Sequence, residues 1–139
     1  MQRTIRTISK AVVVAAVAAL ALSVAPNAGA TSTTEPCPHG YVSKRHMDLR
    51  NADFRWQDVS CVDFSYANLE GARFDWSTAT GARFDGANLR GAKLNGIKAQ
   101  FASFRYADLR HADLSWADLT GADLYGAYTT GTIFTGVTR

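Results

Sequence analysis

Residues 106–125 read YADLR HADLS WADLT GADLY, four consecutive blocks of five with Ala, Asp and Leu in the same slots. A fixed period decides architecture before any local propensity does. Five suits neither ordinary period. On an α-helix five residues advance about 500°, so Leu109, Leu114, Leu119 and Leu124 would wander around the axis. On a flat strand an odd step sends each successive Leu to the opposite face. Inside one block the pattern is simpler. Ala107 and Leu109 lie two apart and point to one side of a short extended segment, while Asp108 points away. Arg110 and His111 must then turn the chain before Ala112 and Leu114 point inward again. Each block is a short strand plus a corner, and chained corners make a coil whose apolar side chains fill the inside.

These blocks resemble the pentapeptide-repeat family, whose pattern is A-[D/N]-[L/F]-x-x. The resemblance runs from His46 to Thr135, which is 90 residues or 18 blocks. It implies an all-β fold, a right-handed quadrilateral β-helix with four blocks per coil, hence about four and a half coils. Successive coils are expected ~4.8 Å apart, the spacing of paired strands.

Four blocks per coil means that residues 20 apart stack. Trp56, Trp76 and Trp116 differ by multiples of 20. Charges follow the same register: Asp53 over Arg73, Asp63 over Arg83, Lys93 over Asp113, Lys98 over Asp118, Arg55 over Asp75 and Asp85 over Arg105, with Arg50, Glu70 and Arg90 alternating in one column. Opposite charges on adjacent rungs contribute a few tenths of a kcal/mol each. A triangular coil would break most of these pairs.

The chain divides into three expected parts. Residues 1–30 read as a secretory signal peptide: Arg3, Arg6 and Lys10, an apolar run over 11–24 with Ser23 its one polar residue, then Pro26 and the A-x-A site of Ala28 and Ala30. The run is short for a membrane span, which needs about 20 residues. The expectation is therefore a secreted, extracellular protein with no stable membrane anchor after cleavage. Residues 31–45 carry no repeat and read as an N-terminal cap segment. Residues 46–139 form the repeat β-helix, its last coil degenerate through GAYTT GTIFT GVTR.

The formal charge of +3 belongs to the first part. Without Arg3, Arg6 and Lys10, the 15 Lys and Arg fall to 12, matching the 12 Asp and Glu. The basic pI is therefore no argument for nucleic acid. Cys37 and Cys61 are the only two cysteines. In an exported chain they suggest one disulfide, expected to staple the N-terminal segment over the first coil; the alternative, a reactive pair, lacks any C-x-x-C spacing.

Sorted by face, Phe64, Phe84 and Phe104 form one interior ladder and Leu49, Leu69, Leu89 and Leu109 another. A thinner face carries Val59, Ala79, Ala99 and Leu119, with Ile97 placed to fill the gap. Each buried Leu or Phe contributes ~1.5–3 kcal/mol. Gly71, Gly81, Gly86, Gly91 and Gly96 share one corner slot where φ > 0 is expected.

No catalytic, metal or cofactor constellation emerges. Asp108, Asp113, Asp118 and Asp123 point outward from four different faces and cannot converge on a metal. His39, His46 and His111 are scattered, and no nucleophile elbow or phosphate-cradling loop is present. An enzyme is not expected, nor is a cofactor.

The candidate binding feature is an exterior aromatic stripe: Trp56, Trp76 and Trp116 on one face, with Tyr66, Tyr106 and His46 placed on the adjacent face. The competing role is packing against neighbouring turns. The reading is a non-catalytic scaffold or binding module for an unknown protein or glycan. A homodimer through the C-terminal coil is also expected, because an unpaired edge invites pairing. The alternative function is a nucleic-acid mimic that binds topoisomerases, a role the resemblance offers and the neutral mature charge and signal peptide oppose.

Overall fold

The computed structural model describes residues 37–139. The expected signal peptide over 1–30, with its expected cleavage site at Ala28 and Ala30, and the residues up to 36 lie outside the described residues. Each block supplies only two or three extended residues, so pairing between coils is reduced to a single bridge per block. Only the first pairing is longer: β1 (Val42–Ser43) lies parallel to β2 (Val62–Asp63) in the register Val42 to Val62. All other bridges are parallel and 20 residues apart, such as Asp48 to Asn68, Asn68 to Asn88, Asn88 to Asp108 and Asp108 to Tyr128. Four such columns run the length of the unit, which makes the coil four-sided.

The backbone accounts for itself block by block. Leu69 N–H donates to Asn88 of the next coil at 2.8 Å, and Gly71 N–H to Arg90 at 2.9 Å. Asn68 N–H donates back to Met47 of the previous coil, and Ala72 N–H closes the corner on Leu69, both at 2.9 Å. One donor per block is left over, that of Glu70, and the side-chain oxygen of Asn68 accepts it at 3.3 Å. The same two-residue reach recurs from Asp48, Asp53, Asp58, Asp63, Asn88, Asp108, Asp113, Asp118 and Asp123. The Asp/Asn slot of the repeat is thus more than a solvent-facing position: its carboxylate or amide satisfies the one N–H that the ladder cannot.

That demand also redirects the ion pairs. Asp53 and Arg73, Asp63 and Arg83, Lys93 and Asp113, and Lys98 and Asp118 do face one another across rungs. The ion pairs among the described residues nevertheless run two residues along, as Arg50 to Asp48 and Arg55 to Asp53 at 2.7 Å, or diagonally, as Arg45 to Asp63 at 3.2 Å and Arg105 to Asp123 at 3.4 Å. A carboxylate turned toward its own corner meets the arginine there before it meets the next rung. Arg55 accordingly holds the Asp53 carboxyl down at about 2.

The core is a column one side chain deep from each wall. Leu49, Leu69, Leu89 and Leu109 are buried, as are Phe64, Phe84 and Phe104. The Phe ladder stacks at 5.2 and 4.8 Å. A second stack, Phe54 on Phe74 at 4.7 Å, rises from the opposite wall and meets the first edge-to-face. Two rings therefore span the interior, and the thin face needs only Val59, Ala79, Ala99 and Leu119, all buried, with Ile97 buried beside them.

Two boundaries differ from the sequence expectation. Residues 41–45 are not a separate cap but occupy a block of the first coil, since Val42 N–H donates to Cys61 and Lys44 N–H to Asp63. The pairing also continues to Thr138, which bridges Asp118. Each wall therefore carries five rungs, about five coils instead of four and a half. An end block need match a neighbour on one side only, so its sequence can drift while its backbone keeps register.

Candidate functional site

Every fifth residue from His46 to Gly136 has positive φ, between 55° and 72°. The carbonyl two positions before this corner accepts from the N–H that follows it, as Leu49 does from Ala52 at 3.0 Å, the signature of a turn that needs a left-handed residue at its third place. Glycine meets that need without strain. Ten of these corners are not glycine, however, and they include Trp56, Tyr66, Trp76, Phe101, Tyr106, His111 and Trp116. Side chains at this slot leave the coil wall and stand in water. Trp56 is 72% exposed, Trp116 66%, Phe101 59%, Tyr66 56%, Tyr106 55% and Trp76 52%.

The rings and the glycines are one pattern. A Cβ added at Gly96 would come within 3.0 Å of the Trp76 ring, and the same holds for Gly86 under Tyr66, Gly121 under Phe101, Gly126 under Tyr106 and Gly136 under Trp116. Each of these five aromatic corners lies over the glycine corner one coil further on. Gly96 interrupts the tryptophan column because it is the seat of Trp76. Where two aromatic corners follow directly they stack in parallel, Trp56 with Trp76 at 5.9 Å and His46 with Tyr66 at 5.2 Å.

The two columns do not form one stripe. Trp56, Trp76 and Trp116 stand at one corner of the coil; Tyr66 and Tyr106, with His46, stand at the diagonally opposite corner and not on the adjacent face. Ten residues separate the columns, which is half of the 20-residue coil. Phe101, Tyr125 and Tyr128 are exposed as well, although none belongs to the stripe expected from the sequence. Phe101 shares the five-residue slot of the tryptophans, so its position alone could have found it. Tyr125 is 64% and Tyr128 60% exposed. Tyr125 meets Tyr106 edge-to-face at 5.6 Å, with Arg105 over Tyr125 at 5.4 Å and Arg110 over Tyr128 at 6.0 Å. Tyr and Arg together are the composition of interface hot spots.

Cys37 and Cys61 form a disulfide with Cα atoms 5.5 Å apart. Closing a loop of this length contributes ~3 kcal/mol. The expectation of a staple over the first coil is corrected in one respect. Cys37 Sγ lies 3.5 Å from the carbonyl oxygen of Gly81, so the segment runs along a side corner, against the second and third rungs. The bond joins this segment to a corner of the coil, where Cys61 stands at a positive-φ position.

No group of three or more His, Cys, Asp or Glu that could hold a metal occurs among the described residues. Asp108, Asp113, Asp118 and Asp123 each accept from their own turn. The Arg110 hydrogen bond holds Asp108 below the usual carboxylate range, against the opposing effect of burial. For Asp63, burial pushes upward, and Ser65 with Arg45 more than offsets it. These shifts have structural causes. Among the described residues no helix is long and apolar enough to cross a membrane.

Four walls with a 20-residue rung, a single-file apolar core and left-handed corners define a repeat scaffold of the β-helical class. The family model for pentapeptide repeats (8 copies) matches residues 45–74, 58–96 and 100–136. The chain belongs to the pentapeptide repeat family, whose members fold as right-handed quadrilateral β-helices and are generally non-catalytic scaffolds. A pentapeptide repeat protein of the Arabidopsis thaliana thylakoid lumen is similar at 32% identity and a TM-score of 0.65, over 67% of this chain and 65% of that one. A pentapeptide repeat protein of the cyanobacterium Cyanothece is 20% identical, with a TM-score of 0.48 over 63% of each chain. The plasmid-mediated fluoroquinolone resistance protein QnrB1 is 21% identical, with a TM-score of 0.44 over 68% of this chain and 69% of that one. The chain thus spans about two thirds of the length of each. No curated protein matches.

Proposed function

We propose that this chain is an exported, non-catalytic β-helical binding module that presents aromatic corners to a protein or glycan partner. The observation that carries the reading is the exposure of Trp56, Trp76 and Trp116, each more than half in water although a seat or a neighbouring ring is available to it. Rigid aromatic groups on a stiff scaffold lose little conformational freedom when a partner covers them. The tyrosine column, widened by Tyr125 and Tyr128, is a second face of the same kind. Export is supported by the signal-like residues 1–30, by the disulfide, and by the lumenal relative.

The test compares the wild-type chain with a Trp76→Ala, Trp116→Ala variant. Both are incubated with culture supernatant proteins and with insoluble polysaccharides, and both are melted. The expected result is retained melting temperature with loss of one specific ligand. Equal capture by both, or a large loss of stability in the variant, would assign the rings to packing instead. Export is tested by mass spectrometry of secreted material, with Thr31 expected as the first residue.

Self-association through the last rung is proposed as well. Leu124 and Phe134 are only half-buried and Thr129 is exposed there, around a recess of about 500 Å³. Light scattering across a concentration series should show a dimer; a monomer throughout would remove the idea.

A further inference from the structure

Residues 37–40 run outside the coil, and the block that follows them is paired on one side only among the described residues. Cys37 is buried against the corner, bonded to Cys61 on the second rung and close to Gly81 on the third. The chain turns at Gly40, whose N–H donates to Cys37 at 3.0 Å, and enters the first rung at Tyr41. The Tyr41 ring reaches back to the third rung, where the Arg83 guanidinium carbon sits 4.1 Å from its centroid. The central slot of this block, filled by Leu or Phe in most others, holds Lys44. Residues 41–45 therefore contribute no large apolar side chain to the core from that slot. Besides the disulfide, they are held by the β1–β2 pairing, with the Val42 and Lys44 N–H groups donating to Cys61 and Asp63, by the contacts of Arg83 with the Tyr41 ring and of Arg45 with the Tyr66 ring, and by the partly exposed Arg45–Asp63 ion pair. The cation–ring contacts and the ion pair are individually weak at a surface.

We infer that Cys37–Cys61 is the latch of a redox-controlled strap. Reduction frees residues 37–45 from the wall and withdraws Tyr41 from the recess it lines, while the coils beyond keep their fold. The reductant is a dithiol. Its thiolate attacks the sulfur of Cys61, the more accessible of the pair; its second thiol then displaces the mixed disulfide. The dithiol leaves as a disulfide, and Cys37 and Cys61 each end as a protonated thiol. The recess has a volume of about 310 Å³ and is lined by Tyr41, Arg83, Asp85, Phe101, Arg105 and Asp123. With Tyr41 gone, Arg83 loses its ring partner, and an exposed cation lies one rung from the exposed Phe101. The strap is thus placed to decide whether this corner can receive a ligand. The inference does not depend on the tryptophan column.

Hydrogen exchange of the full chain, with and without dithiothreitol, tests it. On reduction the amides of Val42, Lys44 and His46 should lose protection by roughly 100-fold, as in local opening, while those of Phe74, Phe84, Leu94 and Leu114 stay unchanged. Trypsin should then cut after Lys44 or Arg45 only in the reduced chain. Cys37→Ser should show the opened pattern without any reductant, and Arg83→Ala should leave the oxidised chain closed. Persistent protection of Val42 and Lys44 after both thiols are alkylated would overturn the strap. So would loss of protection in every coil, or failure of the Cys37→Ser chain to fold, since either would make the disulfide a global staple.

Discussion

Inside the coil, Phe64, Phe84 and Phe104 stack 4.8–5.2 Å apart and are sealed from water. Outside, Trp56 and Trp76 stack in the same register at 5.9 Å and remain mostly wet. The 20-residue rung imposes the stacking in both places, so stacking by itself says nothing about importance. What separates the two sets is the number of walls. An interior ring is closed in by its own column and by the ring from the opposite wall, as Phe74 closes on Phe84 at 5.6 Å. An exterior ring has a glycine or a neighbouring ring on one side and solvent on the other. Stability should therefore reside in the phenylalanines, with little of it in the tryptophans.

The sharpest break of that contrast would come from Phe84→Ala. It removes a ring that touches Phe64, Phe74 and Phe104 and should cost about 3–5 kcal/mol in denaturant titration. A smaller loss is expected from Gly96→Ala, at about 1–2 kcal/mol, because the new Cβ both strains a positive-φ corner and displaces the Trp76 ring. Gly91→Ala is its control: nothing lies within 4 Å of that Cβ, so only the backbone strain should appear. The difference between the two isolates the seat.

Acid should act next, and more gently. Asp53 has its folded-state pKa lowered from 3.8 to about 2, first by its hydrogen bond to Arg55. A depressed carboxylate stabilises the fold above its ordinary value and loses that contribution as pH falls through the lowered one. Asp108, Asp63, Asp113 and Asp118 are shifted the same way. Melting temperature should thus be flat above pH about 5 and decline between pH about 4 and 2, and Asp53→Asn should flatten part of that decline. The smallest effect on stability belongs to Trp76→Ala with Trp116→Ala, at roughly 1 kcal/mol or less. A loss as large as that of Phe84→Ala would erase the distinction between inside and outside.

Much of this was legible in the residues. The A-D-L blocks pointed to a coil, the family resemblance supplied its four sides, and the 20-residue spacing of Trp56 and Trp76 and of the charges agreed with it. Phe64, Phe84 and Phe104 could be assigned to one wall by counting alone. Other features were not legible. Glycine in the corner slot pointed to positive φ, but nothing in the letters said that tryptophan would accept the same backbone, or that Gly96 seats Trp76. The charge columns were correctly aligned, yet their carboxylates turned toward their own corners, because an unsatisfied N–H two residues on competes for the same oxygen. The tyrosine column was misplaced by one corner, and residues 41–45 showed no motif although they pair as a rung.

The period determined that the backbone turns as a coil, because a five-residue step that buries Ala and Leu fits neither a helix stripe nor a flat strand; the number of sides came with the family resemblance. Which side chains meet was settled in three dimensions. Rungs bring together residues 18, 20 and 42 apart, as in Arg45 with Asp63, Trp56 with Trp76, and Tyr41 with Arg83. At those separations the choice of partner depends on side-chain direction and competing hydrogen bonds, which a linear pattern does not encode.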